Sequence, residues 1–303
     1  MTTETRTESG SIERTLDLHV APDRVWAALT VPAEISGWFG AAASFEPEIG
    51  TDGWFDFGAD GRFACRIEAV DPGRYLAWRW AEEPGASVDG SPGSLVEWWL
   101  EPGRKGGTRL RMRESGLRTP RNVEMNTHGW FEELAELREH LATEPWQVPI
   151  RRTIAVRADR DRVWRAFADP GQFHAWWGFS APVELRTGWE GWFDFPAHGR
   201  HAFRIEAAEP PRYLAWTWAS DESDVALEDA AQPTLVEWSL VPRADGGTDV
   251  HVAETGFTGP IAHADNTGGW AEMLPALAKA VESRPVEAGS VERQTSESQA
   301  VED

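Results

Sequence analysis

The five residues Gly53-Trp54-Phe55-Asp56-Phe57 recur as Gly191-Trp192-Phe193-Asp194-Phe195, an offset of 138 residues. At that offset residues 12–80 lie over residues 150–218, and about half of the aligned positions are identical, far above chance. After a loop two residues longer in the second copy, Leu95-Val96-Glu97-Trp98 matches Leu235-Val236-Glu237-Trp238, and Gly129-Trp130 matches Gly269-Trp270. A chain that repeats itself over such a length folds into units of one design. Its 303 residues allow two domains of roughly 150 each. The repeat also tests any proposed site, because a site that both copies use must fall at matched positions.

Within each copy the hydrophobic period changes along the chain. Ile12, Leu16, Leu18 and Val20 suffice for a first strand with one buried face. Pro22-Asp23 opens a helix carrying Val25, Trp26 and Leu29, and Pro32 starts a short second one that ends at Trp38-Phe39-Gly40. Two-residue alternation then takes over. Residues 54–57 and 62–70 flank the turn Gly58-Ala59-Asp60-Gly61, with Phe63, Cys65, Ile67 and Ala69 predicted on one face and Arg62, Arg66 and Glu68 on the other. Leu76, Trp78 and Trp80, then Val96, Trp98 and Leu100, then Leu110 and Met112, continue the inner face.

A helix over residues 121–141 closes the copy, with Trp130, Leu134, Leu137 and Leu141 at spacings of four, three and four. In its counterpart Pro275 sits inside the helix and is predicted to kink it, lift it from its sheet and leave the roomier pocket in the second copy. The expected fold is α+β: residues 11–142 and 149–283 each form a curved antiparallel sheet around a long C-terminal helix. Residues 143–148, with Pro145 and Trp146, are too short and apolar for a loose tether, so the domains are expected to touch. Residues 1–10 and 284–303, rich in Glu and Ser or Thr, are expected to be disordered.

At Val25-Trp26, Trp38-Phe39-Gly40, Pro72 with Tyr75-Leu76, residues 96–100, Gly107-Thr108 and Gly129-Trp130 the sequence resembles the family of the C-terminal domain of the activator of Hsp90 ATPase. That family belongs to the START/Bet v 1/polyketide-cyclase superfamily. Val163-Trp164, Trp176-Trp177-Gly178, Tyr213-Leu214, Gly247-Thr248 and Gly269-Trp270 carry the resemblance into the second copy. It implies a helix-grip fold in each copy. Such folds host carriers, cyclases and chaperone regulators, so the site decides the function. The eukaryotic activator joins one such domain to a different N-terminal domain that contacts the chaperone. Here a second copy of the C-terminal type stands in its place.

The formal charge of −21 disfavours nucleic acid and anionic membrane surfaces as partners. With no basic-then-apolar leader and no long apolar run, the expected compartment is the cytoplasm. Cys65 is the only cysteine, replaced by Phe203 in the second copy, and reads as a small core residue. None of the eight histidines meets another across the aligned blocks. His198 and His201 could hold a metal on a hairpin, but no third ligand lies close, and neither metal nor cofactor is expected. No Ser-His-Asp order recurs, and no glycine-rich phosphate motif is present.

What does recur is aromatic. Eighteen Trp against two Tyr give rings at Trp38, Trp54, Trp78, Trp80 and Trp98 of the first copy and at Trp177, Trp192, Trp216, Trp218, Trp238 and Trp270 of the second. They either fill the gap between sheet and helix or line a pocket there. The residues therefore favour a non-catalytic protein that binds a small hydrophobic or aromatic ligand, or a protein client or chaperone. The alternative is a cyclase- or hydrolase-like enzyme in which Asp56 and Asp194, or Glu97 and Glu237, project inward as acid or base.

Overall fold

The structure, a computed structural model, describes residues 10–89, 93–177, 184–195, 199–220, 223–231 and 233–283. The tails 1–9 and 284–303, for which disorder is expected, lie outside the described residues, and Gly10 already opens the first strand.

The first domain runs β1 (Gly10–Leu18), α1 (Pro22–Thr30), α2 (Pro32–Ile35), β2 (Ala42–Ser44), β3 (Asp52–Asp56), β4 (Arg62–Asp71), β5 (Tyr75–Ala81), β6 (Gly93–Pro102), β7 (Thr108–Leu117) and α3 (Pro120–Leu141). The second runs β8 (Ile150–Val156), α4 (Arg160–Ala168), α5 (Pro170–Trp177), β9 (Glu190–Phe195), β10 (Gly199–Glu209), β11 (Tyr213–Trp218), β12 (Thr234–Pro242), β13 (Thr248–Thr255) and α6 (Pro260–Glu282). Each sheet is an antiparallel meander whose first strand returns to pair with its last, in the orders β1-β7-β6-β5-β4-β3-β2 and β8-β13-β12-β11-β10-β9. These are two tandem helix-grip domains.

The long helix of the first domain starts where its chemistry dictates. Thr119 accepts a hydrogen bond from the Asn122 backbone N–H at 3.1 Å, and Pro120 takes the first helical position. Trp130, Leu134, Leu137 and Leu141 then bury one face against the sheet's inner residues, among them Leu16, Trp98 and Met112.

Two sequence expectations are corrected. A β-bulge between Ile67 and Ala69 shifts the parity of β4, so Val70 rather than Ala69 turns to the core. The matching bulge between Ile205 and Ala207 sends Ala208 inward and leaves Ala207 outside. Pro275 does not lift α6. Leu274 and Leu277 on either side of it are 3% and 0% exposed. Pro275 and Ala271, whose carbonyl loses its donor, both lie on the exposed side of the helix, away from the core.

The domains touch, and α3 is the element between them. Its second face presents Phe131, which packs on Tyr213, Ala215 and Ala253 of the outer face of the second sheet. Arg138 Nη1 donates to Glu237 Oε2 at 2.7 Å, and the Tyr213 hydroxyl donates to Glu237 Oε1 at 2.6 Å. Arg14 shares the inward parity of Ile12 and Leu16 on β1, yet its guanidinium reaches Glu209 at 2.6 Å and lies 3.7 Å over the Tyr213 ring. Arg151 with Glu132 and Arg160 with Glu124 add ion pairs across the same seam. In the link, Glu144 and Gln147 form a reciprocal capping box around a single turn.

Arg138→Leu removes the cation from a carboxylate that is 4% exposed. The expected loss is about 3–5 kcal/mol in urea unfolding of the full chain, the range for breaking a buried pair. A loss below about 1 kcal/mol, the value of a surface pair, would contradict this account of the seam.

Candidate functional site

The inner face of β7 reads Thr108, Leu110, Met112, Glu114, and the carboxylate falls among apolar side chains with no exposure at all. Glu114 accepts hydrogen bonds from Trp130 Nε1 at 2.6 Å, Asn126 Nδ2 at 3.0 Å, Trp80 Nε1 at 3.2 Å and the Ser94 hydroxyl. Glu254 repeats the arrangement with Trp270 Nε1 at 2.6 Å, Asn266 Nδ2 at 2.9 Å, Trp218 Nε1 at 3.0 Å and the Thr234 hydroxyl at 2.6 Å. Burial pushes the Glu254 carboxyl above the usual range, outweighing the four donors that pull it down. The alternation Leu110-Met112-Glu114 and the recurrence of Asn126 as Asn266 are the sequence signals for this cluster. Saturated with donors from helix and sheet, each carboxylate acts as a clamp between the two.

The carboxylates singled out as acid or base candidates do not face the grip. Asp56 turns to the outer face, where it pairs with Arg62 at 2.8 Å, and Arg62 in turn lies 4.1 Å over the Trp54 ring. Asp194 is exposed, and Arg200 stands 5.0 Å from the Trp192 ring. Trp54 and Trp192 are thus outer-face residues held by cation–π contact, and Phe55 and Phe193 take the inward positions. Glu97 accepts from the Tyr75 hydroxyl at 2.8 Å on the outer side of β6. Glu237 is buried, but in the seam between domains.

The remaining tryptophans do converge inside the grips. Trp38, Trp78 and Trp98 in one, and Trp177, Trp216, Trp218, Trp238 and Trp270 in the other, are at most 8% exposed. They meet one another and Phe39 or Phe193 at ring separations of 5.1 to 6.4 Å. Trp38 Nε1 donates to the Ala28 carbonyl at 2.9 Å. By contrast Trp78 and Trp98, and their counterparts Trp216 and Trp238, bury indole N–H groups that have no acceptor among the described residues. Such orphaned donors need an explanation wherever they occur in a folded interior.

The two grips differ at one end. In the first, Phe57, Phe63 and Trp80 are only half-buried, and all three rings touch one another. In the second, Trp218 and His201 at the same place are 8% and 7% exposed, with His201 Nδ1 fixed 2.7 Å from the Ala219 carbonyl. Among the described residues the first domain thus leaves Phe63 and Trp80 more exposed than the second leaves His201 and Trp218, while Phe195, like its counterpart Phe57, is half-buried.

Beside that open end lies Glu133, one turn along α3 from Trp130. Gly40 follows Phe39 with φ +60°, and a Cβ there would stand 3.1 Å from Glu133 Oε1. Glu133 Oε2 is buried with no hydrogen-bond partner among the described residues, and burial, reinforced by Glu136, pushes the carboxyl up to about 8. Its counterpart is Met273. Nothing in the sequence pattern marks Glu133, because the residue does not recur.

No group of three metal-ligating side chains occurs among the described residues. His198 lies outside them. Cys65 is buried and its thiol is pushed up to about 12, which removes it as a nucleophile. No helix among the described residues is long and apolar enough to cross a membrane.

A curved sheet gripping a C-terminal helix over an aromatic interior defines the helix-grip class of the START and Bet v 1-like proteins. The chain belongs to the family described as Activator of Hsp90 ATPase homolog 1-like protein, whose profile matches residues 19–142 and again 157–282. No curated protein matches the sequence. Solved structures similar to it include protein MLL2253 from Mesorhizobium loti, 27% identical over 44% of this chain and 96% of its own, with a TM-score of 0.39. DynU16 of the dynemicin biosynthetic locus is 19% identical over 90% and 97%, TM-score 0.39. The di-domain ARO/CYC BexL from the BE-7585A biosynthetic pathway is 13% identical over 91% and 100%, TM-score 0.39.

The position of Glu133 has a consequence for stability. Its folded carboxyl titrates at about 8, above the unfolded value of about 4.3. The folded state thus holds the proton more tightly, and stability is lost as pH rises through that window. Glu133→Gln is expected to flatten this fall in urea unfolding measured across the window, and identical pH profiles for the two proteins would contradict the assignment.

Proposed function

We propose that the protein is a non-catalytic binding protein that takes a small hydrophobic or aromatic molecule into the open end of the first domain's grip. The observation that carries this reading is the half-buried ring cluster Phe57, Phe63 and Trp80 with the unpaired Glu133 carboxyl beside it. At neutral pH a carboxyl that titrates at about 8 is protonated. It donates a hydrogen bond to a carbonyl or phenol oxygen of the ligand, while the rings cover the apolar body. The orphaned indole N–H groups of Trp78 and Trp98 are further donors for an oxygen that reaches deeper. The same carboxyl favours a second reading, in which Glu133 moves a proton on the bound molecule. Native mass spectrometry of protein purified from its own host separates the two: a carrier retains its ligand unchanged, whereas an enzyme converts it on incubation.

Binding is expected to weaken roughly tenfold or more in Trp80→Ala, the cost of losing a large aromatic anchor. Glu133→Gln is expected to keep affinity at neutral pH, since the amide still donates, and to remove the fall in affinity above pH of about 8 seen in the wild type. Fluorescence titration with the co-purified molecule checks both. Unchanged affinity in Trp80→Ala would place the ligand elsewhere.

A further inference from the structure

A cleft of about 1000 Å³ runs between the domains, separate from either grip. One wall comes from β1, the turn between β6 and β7, and Arg138 of α3; the other is the outer face of the second sheet. That volume matches the upper end of small-molecule sites.

The charge inside the cleft departs from that of the chain. The protein carries 50 acidic against 29 basic residues, yet almost every lining carboxylate is already engaged. Glu209 pairs with Arg14, Glu237 with Arg138, and Glu206 and Glu190 with Arg204. Glu13 and Asp17 lie 3.6 and 3.7 Å from Arg111 and Arg109. Only Glu228 has no cation opposite it among the described residues. On the basic side, Arg104 and Lys105 stand at the rim without an ion-pair partner among the described residues. Lys105 is held out by a left-handed backbone, φ 52°. Deeper in, Arg14 is 5% exposed, and its Nε and Nη2 have no acceptor among the described residues. Apart from Glu228 and from Glu209 Oε2, which has the Arg212 guanidinium at 3.4 Å, the unspent hydrogen-bonding and charge capacity of this cleft is cationic, and it lies beside the half-buried ring of Trp192.

We propose that the interdomain cleft is a second binding site, for a small organic anion that bears a carboxylate, sulfonate or phosphate on an apolar body. Arg104 and Lys105 draw the acidic group in, and Arg14 offers the donors that the fold leaves unused. Planar guanidinium groups suit such oxyanions. Because domain 1 supplies the cations and domain 2 the floor, the bound anion also bridges the domains.

The test uses the full chain and two fluorescent probes of similar shape: the anionic anilinonaphthalene sulfonate and the neutral N-phenylnaphthylamine. The double variant Arg104→Glu with Lys105→Glu alters only exposed side chains, so its thermal midpoint should match the wild type. The sulfonate is expected to bind the wild type saturably, about tenfold more weakly to the double variant, and unchanged to Trp80→Ala. Raising the salt from about 0.01 M to about 0.15 M should weaken it, as the screening length shrinks from about 30 to about 8 Å. The neutral probe should not distinguish wild type from double variant. A sulfonate that binds the charge-reversed protein as well as the wild type, or that is lost in Trp80→Ala instead, would overturn the cleft site, the latter by placing the anion in the grip of the first domain.

Discussion

Each domain depends on one carboxylate taken out of water. A buried polar group is costly unless it is hydrogen-bonded, and the Glu114 and Glu254 carboxyls meet that condition with indole and amide donors from the long helix and indole and hydroxyl donors from the sheet. Because the donors come from both sides, the carboxylate sets how far the helix stands from the sheet. The Trp and Phe rings then pack into the fixed space that results. This is why the described interior of each grip is closed by aromatic contact, while at the end of the first domain Phe57, Phe63 and Trp80 are only half-buried.

The second constraint is that two copies of one design stack in one direction. α3 meets the second sheet with His128, Phe131 and Arg138, and the same positions on α6 are Gly268, Ala271 and Ala278. The receiving face has diverged to match: Ala253 in the second sheet stands where Arg113 stands in the first. The outer face of the first sheet keeps Arg62, Arg66 and Arg79 in ion pairs with Asp56, Asp52 and Glu68. On α3 and at Ala253 the seam thus uses positions where the copies differ, although its Tyr213–Glu237 pair recurs as Tyr75–Glu97, whereas the clamp is built from positions where they agree but for Ser94 and Thr234.

That division explains what could be read in the chain beforehand. Recurring residues revealed two domains, their strands and helices, and the inward tryptophans, because hydrophobic period and identity at matched positions report the core of each unit. The face chosen by Trp54 and Asp56 was not legible, since alternation alone leaves Phe55 and Trp54 as equal candidates until Arg62 is seen to take both outer residues. The bulge after Ile67 was hidden by neighbours of similar size and polarity. Pro275 misled because its cost depends on which side of the helix loses the hydrogen bond. Glu133, Arg104 and Lys105 occupy non-recurring positions, where a repeat is silent.

The central claim, that the open end of the first grip receives an apolar ligand, is tested most directly by the indole N–H resonances of the full chain in a nitrogen-labelled titration with the co-purified molecule or an aromatic surrogate. Trp80 and Trp130 are bonded to Glu114, and Trp218 and Trp270 to Glu254, so each grip has its own reporters at the clamp. The account predicts saturable shifts at Trp80 and Trp130 with Trp218 and Trp270 unmoved. Shifts confined to Trp218 and Trp270 would contradict it.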